Sequence, residues 1–172
     1  MEDGSVHQRF CVAILQKISI KEDTIPIFVE QGMIDWIIKL VERSCQKDVH
    51  IFSLDFSSAL LANILHATST HEYLVKNFRY TKELMMKLLK VLKDPIPTSV
   101  LMHFLIALSY LNKEKFARQG EECGFADAIS EFVEYYSKIP VVENENGEID
   151  KRTVLDLCAH MFHPKDISND LS

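Results

Sequence analysis

Apolar residues recur along the chain at helical spacing, in blocks separated by short polar or Gly/Pro breaks. Leu60, Leu61, Ile64 and Leu65 fall at i, i+1, i+4 and i+5, and Leu84, Met85, Leu88, Leu89 and Leu92 follow the same rule. Such stripes, with a period near 3.6, mark helices that bury a wide arc. The blocks themselves repeat. Ala13–Ile18, Ala59–Ile64 and Ile106–Leu111 each read small-or-apolar, x, Leu, x, x, aliphatic, and their central residues Leu15, Leu61 and Leu108 are 46 and 47 positions apart. A second set of apolar segments, Gly32–Val41, Leu84–Leu92 and Gly124–Val133, follows at similar offsets. A period in the forties belongs to helical repeats that stack because no unit can bury its apolar face alone.

Start and stop signals complete the unit. Thr24, Thr70 and Asn112 are predicted to cap short first helices, and Pro26 fits a first turn, where its missing N–H costs nothing. Gly32 and Gly124 break the chain before the second helices; Phe78-Arg79-Tyr80 takes that corner in the middle unit. Asp94-Pro95-Ile96-Pro97 ends one helix ahead of the next. The expectation is an all-α, right-handed armadillo/HEAT-like α-solenoid of about three repeats plus a C-terminal capping helix. Its predicted parts are a flexible N-terminus (1–7), a solenoid body (8–137), an acidic loop (138–149), a capping helix (150–163) and a disordered tail (164–172). The chain begins on a third helix of the unit, about Val6 to Ile20, which suggests a fragment of a longer solenoid or an atypical cap. Asp150 is predicted to cap the last helix, with Val154, Leu157, Cys158, Met161 and Phe162 on one face and Lys151, Arg152 and Asp156 in water.

Composition narrows the function classes. Five Gly and five Pro in 172 residues are too few for many tight turns, and no run of about 18 apolar residues marks a membrane span. Cys11, Cys45, Cys123 and Cys158 form no C-x-x-C pair, which predicts a reducing, cytoplasmic setting. The net charge of −6 is uneven. Seven acids and three bases lie between Glu143 and Ser172, leaving 18 acids and 16 bases elsewhere, so the body is nearly neutral and has no basic stripe for nucleic acid. There is no G-x-S-x-G, P-loop, G-x-G-x-x-G or H-E-x-x-H, so no enzyme activity and no cofactor are expected.

Over about residues 8 to 137 this grammar resembles the armadillo family. Gly32-Met33-Ile34-Asp35-Trp36-Ile37, followed by Ser53-Leu54-Asp55-Phe56-Ser57-Ser58-Ala59-Leu60-Leu61-Ala62-Asn63-Ile64, is similar in that order to the armadillo region of ciliary proteins that also carry a LisH domain. Leu105–Ser109 and Gly124–Ile129 are consistent with it. The resemblance implies a component of cilia and basal bodies that acts through protein partners, some of them microtubule-associated. This chain itself shows no LisH motif and no coiled-coil heptads.

Armadillo proteins of the nuclear-import type grip a peptide with an Asn on each third helix and a Trp one turn earlier. The matching positions here are Lys17, Asn63 and Tyr110, and Ala13, Ala59 and Ile106. With one Asn and no Trp, an import-type groove is disfavoured. Lys17, Asn63 and Tyr110 are nevertheless expected on the concave surface, with Arg9, Asp55 and His103 about two turns earlier. This makes a polar, mixed-charge groove for a protein partner; the plainer reading is a solvated face. Trp36 is expected in the core, partly buried, among Ile34, Ile37 and Ile38. Cys158, His160 and His163 are close in sequence, but zinc needs three or four ligands and no second cluster is visible, so no metal is expected. The leading expectation is a non-catalytic interaction scaffold without nucleic-acid or membrane partners. The alternatives are a tubulin- or cytoskeleton-binding module, which needs a basic edge, and a structural element that homodimerises through an exposed repeat edge.

Overall fold

The structure, a computed structural model, describes residues 6–46, 49–141 and 147–162. All regular structure in these residues is helical, with no strand. The helices are α1 (Val6–Ile18), α2 (Ile25–Glu30), α3 (Met33–Ser44), α4 (Ile51–His66), α5 (Thr68–Lys76), α6 (Phe78–Val91), α7 (Thr98–Leu111), α8 (Ala117–Glu122), α9 (Phe125–Lys138) and α10 (Gly147–Phe162), with 3-10 turns at Glu22–Thr24 and Glu114–Phe116. No single helix among them is long and apolar enough to cross a membrane.

Helices one period apart pack on each other. α1 lies on α4, α4 on α7 and α7 on α10; α3 lies on α6 and α6 on α9; α2 lies on α5. Packing follows from the apolar pattern. In α3 only Ile34, Ile37, Ile38, Leu40 and Val41 are buried, a stripe with the opposite face in water. α4 buries Ser53, Leu54, Ser57, Ser58, Leu60, Leu61, Ala62, Ile64 and Leu65, almost all round, because it is flanked by α1 and α7 and backed by α3 and α5. α7 is nearly as enclosed, with Val100, Leu101, Phe104, Leu105, Ala107, Leu108 and Leu111 buried. One cluster of buried side chains runs from Ile25 to Cys158.

The glycine corners have a definite geometry. Gly32 and Gly124 precede α3 and α9 with φ of 70° and 66°, the left-handed region that side chains with a Cβ avoid. Pro26 sits in the first turn of α2, and the Asp94–Pro97 segment separates α6 from α7.

Several local expectations are corrected. Thr24 does occupy the position before α2, but its hydroxyl donates backwards to the carbonyls of Lys21 (2.7 Å) and Ile18 (3.1 Å). Thr70 lies inside α5 and is buried; the break before α5 is Ala67 alone, and the axes of α4 and α5 differ by 73°. Asn112 closes α7, its N–H donating to the carbonyls of Leu108 and Ser109. In the middle unit the corner is Asn77, and Phe78-Arg79-Tyr80 already belongs to α6. α10 starts at Gly147, so Asp150 lies within it. Lys151 is half-buried and not in water: its ammonium donates to the carbonyls of Ser137 (2.7 Å) and Ile139 at the end of α9, where a cation is favoured. α1 begins at Val6, where the first helix was expected, and ends at Ile18; residues 1–5 of the 1–7 segment lie outside the described residues. Residues 142–146 of the acidic loop and all of the 164–172 tail also lie outside them.

Candidate functional site

The surface shared by α1, α4 and α7 carries the expected site residues, and polar links cross between these helices. Asn63, half-buried on α4, donates from Nδ2 to the Ser19 hydroxyl at 2.9 Å. Asp55 accepts a hydrogen bond from the Ser99 hydroxyl of α7. Ser58 Oγ donates to the Asp55 carbonyl at 3.1 Å and lies 2.8 Å from His103 Nδ1, whose N–H in the Nδ1-protonated tautomer donates to the same oxygen. The rings of Tyr110 and His66 approach to 5.0 Å between centroids. Arg9 Nη1 stands 3.2 Å from His50 Nε2, while His50 Nδ1 faces the Phe52 N–H at 3.3 Å. A neutral imidazole offers one acceptor nitrogen, so Arg9 and the first turn of α4 compete for the same ring. Lys17 is exposed and, among the described residues, makes no hydrogen bond or ion pair.

The structure thus brings Asp55 and His103 together through Ser58, and it places Asn63, Tyr110 and Arg9 each against a residue of a neighbouring segment. It does not leave them as a row of free side chains. Ser19, Ser58, His66 and Ser99 were missed in the sequence. Their links span 44 to 45 residues, just short of the 46 and 47 of the repeat. Equivalent residues point the same way and cannot face each other, so contacts between units fall off the exact period. Searching pairs of polar residues one to three positions inside the period would have found Ser19–Asn63 and Ser58–His103.

Ser58 and His103 invite comparison with a nucleophile and base, but Ser58 is fully buried and its oxygen already has two partners, so no substrate atom reaches it. Burial pushes the His103 imidazole below its ordinary pKa, and Asp55 opposes this only in part. His71, buried in α5, behaves likewise: burial lowers it against a 2.6 Å hydrogen bond from Nε2 to the Leu65 carbonyl. Both rings are therefore held neutral in the fold, while the unfolded chain takes up protons near pH 6.5. The unfolded state binds more protons as the pH drops, so stability is full above about pH 6.5 and declines below it. We expect the thermal midpoint to fall between about pH 7.5 and about pH 5.5, and the His71→Gln variant to show a smaller fall. A midpoint flat across this window would refute the buried neutral imidazoles.

On α6 and just past its end, four lysines are matched across helices. Lys87 pairs with Asp35 (2.9 Å), Lys90 with Glu42 (3.9 Å), Lys82 with Glu122 (3.2 Å) and Lys93 with Glu131 (4.0 Å). The Tyr80 hydroxyl also donates to Asp35 at 3.2 Å, and burial together with that carboxylate raises the phenol above its usual range. Exposed pairs of this kind contribute about 0–1 kcal/mol each; their effect here is to leave no uncompensated basic edge along α6. Trp36 is 39% exposed, on the side of α3 away from Ile34, Ile37, Ile38 and Val41, which corrects its expected core position. Cys158 is buried, its thiol pushed up to about 11, while His160 is exposed, and His163 lies outside the described residues. No group of three or more His, Cys, Asp or Glu among the described residues converges on a point.

No family model, curated protein or solved structure matches the chain.

Proposed function

We propose that this chain is a non-catalytic protein-interaction scaffold, a right-handed armadillo-type α-solenoid whose concave face is the surface shared by α1, α4 and α7. The observation that carries the reading is the packing of helices one period apart in rows, α1–α4–α7–α10, α3–α6–α9 and α2–α5. Stacks of this kind present an extended surface on one row, and that surface is where they engage partners. In this reading α10 closes the first row, and Lys17, Asn63 and Tyr110 occupy equivalent positions along the groove. The resemblance noted in the sequence points to a protein partner in the cytoplasm, at the cilium or basal body. The tubulin alternative, which needs a basic edge along the inter-helix turns, draws less support, because Lys82, Lys87, Lys90 and Lys93 are each paired with a carboxylate.

The test is affinity capture from ciliated cells, with the chain and with a variant carrying Lys17→Glu, Asn63→Glu and Tyr110→Glu. Specific partners are expected with the native chain, and the variant is expected to lose about tenfold or more in recovery, the equivalent of 1.4 kcal/mol, while its helical signal stays intact. Partners that survive all three changes would move binding off this groove.

A further inference from the structure

Two crossings of the α1–α4–α7 row are built alike. Ser19, just past α1, donates to the Gln16 carbonyl at 2.7 Å, and Ser58 on α4 donates to the Asp55 carbonyl at 3.1 Å. Each hydroxyl carries a single proton and spends it three residues back along the chain, so its oxygen is left only to accept. Both serines are buried, which keeps water out of these bonds. Asn63 meets the Ser19 oxygen at 2.9 Å, and His103 meets the Ser58 oxygen at 2.8 Å. The group facing Ser19 is thus the amide nitrogen of Asn63, and the group facing Ser58 is the Nδ1–H of His103.

Each of these side chains thereby turns its acceptor the other way. Burial keeps the His103 ring neutral, and a neutral ring protonated on Nδ1 carries a lone pair on Nε2. His103 is half-buried, and its Nε2 is neither enclosed nor hydrogen-bonded among the described residues. The Asp55 carboxylate stands beside it, close enough to act on the charge of the ring. It accepts from Ser99, one turn before His103 on α7. None of the ion pairs among the described residues uses Asp55. The crossing of α4 and α7 therefore offers a charged acceptor and a fixed lone pair side by side, while the cations of the groove, Arg9 and Lys17, belong to α1.

We propose that Asp55 and His103 together receive a cationic side chain, lysine or arginine, of the protein that lies in the groove. This rests on the reading of that face as the partner surface and states what the surface selects. An ammonium or a guanidinium brings only donors and complements two acceptors, one of them ionised. A partner carboxylate would meet its own charge and no donor. An apolar side chain would cover both acceptors without bonding either, which carries a desolvation penalty. The device differs from a ladder of Asn and Trp, because its direction comes from a tautomer held by a buried serine.

NMR of the imidazole nitrogens in the intact chain tests this. Free His103 is expected to be protonated on Nδ1; a ring protonated on Nε2 overturns the proposal. The probes are capped heptapeptides Gly-Ser-Gly-X-Gly-Ser-Gly, with X lysine, arginine or norleucine. The lysine or the arginine peptide should move the His103 Nε2 signal saturably below about 10 mM, at least about fivefold more tightly than norleucine, and the two cationic probes separate ammonium from guanidinium. Asp55→Asn keeps an acceptor for Ser99 and removes the charge, so it should abolish that preference while the helical signal stays intact. No shift at Nε2 with either cation, equal binding of norleucine, or a preference that survives Asp55→Asn each overturns the proposal. The groove itself is judged by partner capture with the Lys17, Asn63 and Tyr110 changes, which leave Asp55 and His103 in place, so the two readings fail separately.

Discussion

Phe104→Ala is expected to lower the unfolding free energy by about 3–5 kcal/mol. Phe104 is fully buried on α7, a helix that packs on both α4 and α10. It is among the largest side chains wholly removed from water. Truncation loses its transfer free energy and leaves a cavity that two flanking helices, each held by its own neighbours, can close only in part. For a domain of this length the loss corresponds to a fall in Tm of roughly 6–20 °C. Phe10→Ala is the natural comparison, since Phe10 is mostly in water and makes little of the fold's core. Urea and thermal unfolding followed by circular dichroism would measure both. If Phe104→Ala cost under about 1 kcal/mol, the packing of α7 between α4 and α10 would be wrong.

The second large effect lies in the backbone. Gly32 and Gly124 hold φ of 70° and 66°, and a Cβ built on either would meet nothing within 4 Å. Any penalty on substitution therefore comes from the dihedral alone. Gly32→Ala and Gly124→Ala should each cost about 1–2 kcal/mol. The two corners sit in different units with no shared partner, so the double variant should lose the sum, about 2–4 kcal/mol. Asn at the same positions should recover part of the loss, because Asn tolerates left-handed geometry better than Ala. Equal losses for Ala and Asn in chemical denaturation would show that something other than φ sets these corners.

These two glycines were legible in the sequence because their constraint is local: a corner before an apolar run needs a residue free of Cβ. The stripes of α3 and α4 and the Pro-bounded gap before α7 were legible for the same reason. What sequence reading missed came from a turn a few residues away as well as from neighbours 12 to 45 residues away. Thr70 looks like a helix cap until Ala67 turns the chain so tightly that α5 has already begun. Lys151 looks like a surface lysine until α9 ends beside it with open carbonyls. Trp36 looks like core by composition, yet the stripe of Ile34, Ile37, Ile38 and Val41 leaves it on the far side. Among the candidate site residues, Asn63 is half-buried on α4 and bonded to Ser19, a pair 44 residues apart that aligning equivalent positions alone passes over. The repeat supplies equivalent positions, and contacts join non-equivalent ones.

The short reach of those cross-links bears on how the chain finds its fold. The polar links described between these helices span 38 to 52 residues, and none joins one end of the sequence to the other. Loop closure is thus required only over about one unit at a time, and its entropic cost grows slowly with length. Any adjacent pair, α1 with α4 or α4 with α7, is able to serve as a nucleus, and the next helix then docks on a surface already built. No step has to bring the termini together, so lengthening the row would add docking steps without adding a slower search.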